Sequence, residues 1–200
     1  MGATILCKPR WFSRIIEGMG LKFTTSYLDD SLSVFRYYKR LADAAMEQVP
    51  DEQLGVVLDP EMNSIALIVK HMAGNMRSRW TDFLTTDGEK ADRNRDSEFV
   101  EPPTGREELM KMWEAGWGHV FSAVEPLTEA DMTRTVLIRG EAHSVMQAIN
   151  RSSAHYAYHC GQIVFLAKHL QHPQWKTLTV ARGKSAAFNE KVKAGEASQR

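Results

Sequence analysis

The chain has few cysteines, no excess of either charge and no long apolar run. Its two cysteines, Cys7 and Cys160, lie far apart and form no CxxC pair, which excludes a disulfide framework and a thiolate zinc site. With 25 basic and 25 acidic residues, the formal net charge is zero, so no overall field attracts nucleic acid. No stretch approaches the roughly 18 consecutive apolar residues of a membrane-spanning helix, and the first residues do not resemble a signal-peptide core. We therefore expect a cytoplasmic protein without nucleic-acid or membrane partners.

Several catalytic signatures are also missing from the sequence. It contains no Gly-rich phosphate loop and no GxSxG nucleophile elbow. The metalloprotease motif HExxH is not met, because Tyr156 stands where the glutamate after His155 would be. No glutamate has a histidine three residues later, which excludes the Glu-x-x-His pairs of di-iron bundles.

Apolar residues at helical spacing predict four amphipathic helices. The predicted ranges are 24–49, 64–84, 104–126 and 144–170. Asn63 is the predicted N-cap of the second helix. Capping boxes are predicted at the start of the third helix, from Thr104 with Glu107, and of the fourth, from Ser144 with Gln147. Gly116 and Gly118 on the third helix are expected to let a neighbouring helix approach closely.

A small β-hairpin is predicted between the third and fourth helices, with strands over 135–138 and 142–144. The predicted fold class is therefore all-α: a four-helix bundle with a small hairpin. The bundle domain is expected to cover residues 24–175, preceded by an N-terminal arm over 1–23 and followed by a basic, flexible tail over 176–200.

Residues 85–103 form a long polar connection between the second and third helices. Loops of this length are uncommon in compact domains unless they are functional or disordered. A solvated linker is one interpretation, and a lid over a site or a dimer contact are the others.

Two histidines on the fourth helix have the spacing of metal ligands. His155 and His159 lie one helical turn apart, and both point toward the predicted bundle interior. A buried imidazole without a partner costs about 1–3 kcal/mol, so the pair needs a metal, a carboxylate or water. His71 on the second helix is the candidate third ligand, and three histidines would leave a coordination position open for chemistry. From spacing alone, core or surface histidines that are hydrogen-bonded elsewhere remain the alternative.

Other residues near these positions, and the remaining histidines, are expected to have supporting or structural roles. Asn75, one turn beyond His71, could orient an imidazole or make an interhelical hydrogen bond. Tyr156 is expected to pack in the core with its hydroxyl group bonded, and Cys160 to be a buried, unreactive thiol. Structural or surface roles are expected for the remaining histidines, which are His119, His143, His169 and His172.

Three segments of the chain resemble DinB-like proteins, most closely a branch known as a domain of unknown function. These segments are residues 64–76 (SIALIVKHMAGNM), 77–89 (RSRWTDFLTTDGE) and 155–163 (HYAYHCGQI). The resemblance covers about residues 24–172. It implies a four-helix bundle, often dimeric, in which three histidines bind a divalent metal, usually zinc or nickel. Carried over by position, those ligands are His71, His155 and His159.

The characterised DinB-like proteins include thiol-dependent S-transferases and a thiol-dependent isomerase. The resemblance therefore implies a metal-dependent thiol transferase or hydrolase, with a small-molecule thiol or electrophile as partner. The alternative is a non-catalytic metal-binding or ligand-sensing homodimer. A third hypothesis is a helical interaction module in which all three histidines are ordinary core residues. Imidazole suits several transition metals, so the ligand set leaves the metal open.

Overall fold

The computed structural model describes residues 26–198 and shows a mostly helical protein. Five helices and a two-stranded hairpin occur in this range, in the order α1 (Tyr27–Glu47), α2 (Ile65–Trp80), α3 (Arg106–Val124), β1 (Thr135–Ile138), β2 (Glu141–Ser144), α4 (Val145–Leu170) and α5 (Ser185–Lys193). Short 3-10 turns lie at Asp51–Gln53, Asp96–Phe99 and Glu129–Thr133. The arm predicted over residues 1–23 lies outside the described residues. No helix in the described range is long and apolar enough to cross a membrane.

The chain divides into two compact units, and the first comprises residues 26–176. Within it, α2 packs on α3 and α1 on α4, and α2 also contacts α4. Large aromatic side chains from three helices fill the core between them. Phe35 of α1, Trp117 of α3 and Tyr156 of α4 meet with ring centroids 5.6–6.2 Å apart. Pairs of this kind each add about 0.5–1.5 kcal/mol beyond burial of their area. The coarse prediction of a mostly helical fold with a small hairpin is confirmed.

One glycine allows α3 to lie close against α2. A Cβ atom at Gly116 would come within 3.0 Å of the Ala73 Cα and 3.1 Å of the Met76 Sδ. Nothing lies within 4 Å of the corresponding position at Gly118. The predicted close approach therefore holds for Gly116 and is wrong for Gly118.

The ends of α2 differ from the predicted ones. Ser64, and not Asn63, caps the helix, since its hydroxyl oxygen accepts a hydrogen bond from the Leu67 amide (3.2 Å). The helix ends at Trp80, four residues before the predicted end. Asp82 has a φ of +47°, which a right-handed helix cannot include, so the chain turns away there.

The capping box predicted for α3 is wrong, whereas the one predicted for α4 is confirmed. Gly105 occupies the N-cap position of α3 in an extended conformation, and it offers no side-chain cap. At α4, the Gln147 amide donates to the Ser144 hydroxyl (3.1 Å) and the Ser144 amide to the Gln147 side chain (2.8 Å). This helix ends at Leu170, as predicted.

The hairpin forms where it was predicted, with β2 beginning one residue earlier. Thr135 pairs with Ser144 in an antiparallel register. Arg139 and Gly140 both have positive φ angles, +57° and +76°, as a two-residue type I′ turn requires.

The polar connection over residues 85–103 is held against α2 and the hairpin. The carboxylate of Asp87 accepts hydrogen bonds from the amides of Arg139 (2.8 Å) and Gly140 (2.6 Å) at the hairpin turn. On α2, the Ser78 hydroxyl donates to the Gly88 carbonyl (2.8 Å). The interpretation as a solvated linker is therefore wrong, because backbone and side-chain bonds fix the segment at both neighbours.

Residues 177–198 belong to the second unit. They contain the nine-residue helix α5, none of whose side chains is buried. The predicted tail thus includes a helix, and its flexibility stays a prediction.

Candidate metal centre

The three predicted histidines lie together between α2 and α4. His155 Nε2 is 3.0 Å from His159 Nε2 and 3.4 Å from His71 Nε2. Three ligand nitrogens, one from each ring, all lie within 4.8 Å of one another, so the group could hold a metal ion. A tetrahedral zinc ion with Zn–N distances of about 2.0–2.1 Å holds its ligand nitrogens about 3.3 Å apart. The two shorter separations are close to this value, and the donor set fits such an ion.

Two helices contribute the three histidines to the cluster. His155 and His159 are one turn apart on α4, and His71 lies near the middle of α2. Beside them, the buried hydroxyl of Tyr156 accepts a hydrogen bond from Trp80 Nε1 (2.8 Å) and donates to Asn75 Oδ1 (3.3 Å). These bonds join α4 to α2 next to the cluster.

Asn75 and Tyr156 both have roles beside the cluster that the sequence predicted. Asn75 makes the interhelical hydrogen bond, which was one of its two predicted roles. Tyr156 is fully buried in the core with its hydroxyl group bonded, as predicted. Burial raises the pKa of Tyr156 to about 12, because the phenolate would be poorly solvated there, so the hydroxyl group keeps its proton.

In two of the three rings, the Nδ1 atom forms a hydrogen bond with a side-chain oxygen outside the cluster. His71 Nδ1 lies 2.8 Å from Glu98 Oε2, and His159 Nδ1 lies 2.8 Å from Gln162 Oε1. Because these oxygens only accept, each Nδ1 carries the hydrogen and donates it. The Nε2 atoms of His71 and His159 therefore direct lone pairs toward the centre of the cluster, which is the tautomer that binds metal.

Two of the rings are also neutral at physiological pH. Burial lowers the pKa of His155 to about 3, with a further contribution from the neighbouring His159 and His71. Burial lowers the pKa of His159 to about 4. Neutral imidazole is the form that coordinates metal, so these two rings need not lose a proton before binding.

Glu98 is a residue of the candidate site that could not be recognised from the sequence. The residue lies on the 3-10 turn Asp96–Phe99 and is 6% exposed. Arg93 binds both of its oxygens, from Nε to Oε1 (2.8 Å) and from Nη2 to Oε2 (2.9 Å). Burial alone would raise the pKa of Glu98, but hydrogen bonds from His71 and Arg93 lower it below the usual value. The carboxylate is thus ionised where it orients the His71 ring.

The neighbours of Glu98 leave little free space around it. The ring of Phe99 stacks on His71, with centroids 4.6 Å apart. On α2, a Cβ atom at Gly74 would come within 2.7 Å of Glu98 Cδ, so only glycine leaves room for the carboxylate. Phe99, an aromatic residue within an otherwise polar segment, is the sequence feature that could have indicated a packed turn here.

A cavity of about 460 Å³ opens beside the cluster. All three histidines line it, together with polar, aromatic and basic side chains from α2, α4, the hairpin and the 85–103 segment. A metal ion at the cluster would therefore face a space large enough for a small molecule.

The other four histidines and Cys160 are not part of the cluster. His119 and His143 are half-buried, whereas His169 and His172 are exposed. Cys160 is buried, and burial raises its pKa to about 12, so its thiol is unreactive as expected.

Fold and site together define a helical protein with a three-histidine cluster that could hold a metal ion. The chain belongs to the family described as protein of unknown function (DUF1572), which matches residues 22–184. No curated protein and no solved structure matches the chain. The predicted resemblance to a family of unknown function is thereby supported, and the wider DinB-like relationship stays a prediction.

Proposed function

We propose that the protein is a DinB-like metalloprotein that binds one divalent transition metal, zinc or nickel, through His71, His155 and His159. The observation that carries the proposal is the convergence of three Nε2 atoms, two of them from rings whose Nδ1 atoms are hydrogen-bonded to Glu98 and Gln162. Imidazole suits both metals, so the site chemistry agrees with either.

Hydrogen bonding within the cluster cannot satisfy these nitrogens by itself. With Nδ1 of His71 and His159 protonated, only His155 Nε2 can carry a hydrogen into the centre. One hydrogen is then shared between two lone pairs, at distances of 3.0 and 3.4 Å. A metal ion accepts a lone pair from each of the three Nε2 atoms at once, which explains why the three rings point at one place.

The adjoining cavity favours a catalytic role over a closed structural site. Three protein ligands leave a coordination position open, which is the arrangement of catalytic rather than structural zinc. A divalent metal in such a site acts as a Lewis acid and lowers the pKa of a bound thiol or water, which supplies a nucleophile near neutral pH. We therefore infer a metal-dependent thiol transferase or hydrolase that acts on a small molecule.

The residues of the chain have defined parts in this proposal. Glu98 and Gln162 orient the His71 and His159 rings, and the Phe99 ring covers one face of His71. Cys160 does not supply the thiol, because it is buried and its raised pKa of about 12 keeps it protonated. The proposed thiol partner is a small molecule that enters the cavity.

The second candidate is a non-catalytic metal-binding or ligand-sensing protein. His71 comes from α2 and the other two ligands from α4, so an ion would cross-link two helices. We also propose a homodimer, because Tyr158 and Phe165 on α4 are 62% and 66% exposed and offer an apolar surface.

Elemental analysis of untagged protein, purified without chelators, tests the metal proposal. We expect about one transition-metal ion per chain in the parent protein, and its loss in His71→Ala and His155→Ala. His169→Ala, at an exposed histidine on α4, is the matched control and should keep its metal. No bound metal after incubation with zinc and with nickel would contradict the proposal.

Two further measurements separate the candidate functions. Removing the metal should lower the melting temperature under either candidate, because a ligand at 1,000 times its Kd stabilises the folded state by about 4 kcal/mol. Turnover of an electrophile with a small thiol, abolished by metal removal and in His155→Ala, supports the enzyme. Bound metal without turnover across such a screen supports the second candidate.

A further inference from the structure

The cavity beside the histidine cluster is rich in arginine and has no acidic side chain in its lining. Five arginines contribute to the lining, and these are Arg79, Arg93, Arg95, Arg139 and Arg151. The other contributors are the three histidines and uncharged side chains. Such a concentration of one charge in a concave site raises the local concentration of anions.

The two innermost arginines are committed to the protein itself. Arg93 binds both oxygens of Glu98 and also Glu89 Oε2 (3.1 Å). Arg79 binds the Glu89 carboxylate (3.0 Å) and the Gly88 carbonyl. Their charges are balanced, and they hold the 85–103 segment in place.

The other three arginines, Arg95, Arg139 and Arg151, do not each have a carboxylate of their own. Arg139 is 3.2 Å from Glu89 Oε2, an oxygen that Arg79 and Arg93 already share. Arg95 and Arg151 form no ion pair with any carboxylate within residues 26–198. Around the cavity, guanidinium groups therefore outnumber the carboxylates that contact them.

Both unpaired arginines lie next to the metal-ligating residues. Arg151 is one turn before His155 on α4, so the two side chains share a face of the helix. The Arg95 guanidinium lies 5.0 Å from the centroid of the Phe99 ring, and that ring stacks on His71. Both arginines line the same cavity, one next to His155 along α4 and the other over the Phe99 ring that covers His71.

Resting on the proposed function, we propose that the substrate is an anionic small molecule whose carboxylate or phosphate group binds Arg95 and Arg151. A guanidinium group presents a planar fork of N–H donors that matches either oxyanion. The bound anion holds the rest of the molecule in the cavity beside the three histidines. This assigns to the cavity a binding role separate from the metal ligands.

Calorimetric titration of the full-length protein with sodium malonate and with sodium phosphate tests the proposal. Sodium chloride at matched ionic strength is the salt control. The titrations use the protein as purified and again after metal removal. We expect malonate, phosphate or both to bind, and Arg151→Gln and Arg95→Gln each to weaken that binding about tenfold or more, as the loss of a charged hydrogen bond predicts.

Lys168→Gln is the matched control, because Lys168 is also an exposed cation on α4 but lies outside the cavity lining. It should bind the anions as the parent protein does. Binding of malonate alone identifies a carboxylate substrate, and binding of phosphate alone identifies a phosphorylated one. Neither anion binding better than chloride, or equal binding by the arginine variants, overturns the proposal.

Metal content of the same samples separates this proposal from the proposed function. Arg151→Gln should retain the metal and lose the anion, whereas His155→Ala should lose the metal. Circular dichroism and melting temperature serve as folding checks. Both arginines are exposed and form no ion pair within residues 26–198, so we expect their replacement to leave the fold unchanged. If the protein binds no metal but binds anions in a way that depends on the arginines, only the metal site is refuted. If it binds metal but the anions do not bind, only the anion site is refuted.

Discussion

Replacing Glu98 by glutamine tests whether this buried carboxylate holds the histidine cluster in its metal-binding geometry. The substitution keeps the size of the side chain and removes its charge. His71 Nδ1 then has at most an amide oxygen as acceptor, in competition with Arg93, which binds both carboxylate oxygens in the parent protein. We expect lower stability of the metal-free protein and weaker binding of zinc.

The expected loss of stability follows from the burial of the ion pair. The Arg93 side chain is 2% exposed, and after the substitution its remaining carboxylate partner is Glu89 at 3.1 Å. Removing one partner of a buried pair costs about 3–5 kcal/mol, and because Glu89 remains we expect about 3 kcal/mol. For a chain of this size that corresponds to a fall in melting temperature of about 6–12 °C.

The expected loss of zinc affinity has a separate cause. A carboxylate behind a metal-binding histidine fixes its ring and tautomer, and loss of such a partner costs about 10–100-fold in affinity.

The contribution of Glu98 to folding stability depends on pH. The pKa of Glu98 in the folded protein lies below its usual value of 4.5. The stability that the carboxylate contributes is therefore fully present at pH 7 and is lost only as the pH falls below 4.5.

Urea denaturation of the metal-free protein at pH 7 measures the stability, and competition with a chromogenic chelator measures zinc affinity. Glu47→Gln, at an exposed glutamate of α1, is the control for loss of one negative charge. The reasoning would be refuted by a Glu98→Gln protein within about 0.5 kcal/mol of the parent and with unchanged zinc affinity.

Two further predictions concern the same cluster. Gly74→Ala should weaken zinc binding about tenfold, because the new Cβ would lie 2.7 Å from Glu98 Cδ and displace the carboxylate. The effect should be absent in a Glu98→Gln background, since both changes act on one contact. In the metal-free protein, stability should fall by about 2–3 kcal/mol between pH 6.5 and pH 5, because burial lowers the pKa of His155 to about 3 and of His159 to about 4, and solvent partly screens both rings. Over that range the unfolded chain takes up protons that the folded protein does not, and urea denaturation at each pH measures the difference.

The Gly74→Ala prediction and the pH prediction each have a matched control. Gly161→Ala places a Cβ on α4 where nothing lies within 4 Å, so zinc affinity should not change. A protein with both His155→Gln and His159→Gln should show a flatter dependence on pH. Equal zinc affinity in the two alanine variants, or the same pH dependence after loss of both histidines, would contradict the corresponding argument.

Much of the local structure could be predicted from the sequence. The apolar periodicity of α4, its Ser144–Gln147 capping box and the hairpin turn at Arg139-Gly140 depend on residues a few positions apart. Interactions over one or two turns arise from backbone geometry that is the same in any fold. The His155–His159 pair belongs to this group, because a spacing of four residues places two side chains on one helix face.

Other features follow only from the packing of distant segments. Glu98 lies 27 residues from His71 in sequence, and no periodicity indicates that a polar connection would fold back to place its carboxylate on that ring. The end of α2 at Trp80 is set by the turn at Asp82, and the docking of Gly88 on Ser78 holds the chain that leaves it.

The sequence by itself therefore determined helices α1 to α4, the hairpin and which histidines could act together. The tertiary structure decided what surrounds them: the Glu98–Arg93 pair behind His71 and the arginines that line the cavity. The reason is physical, since helix formation and capping are local, whereas burial of a charge depends on partners that only the folded chain brings within hydrogen-bonding distance.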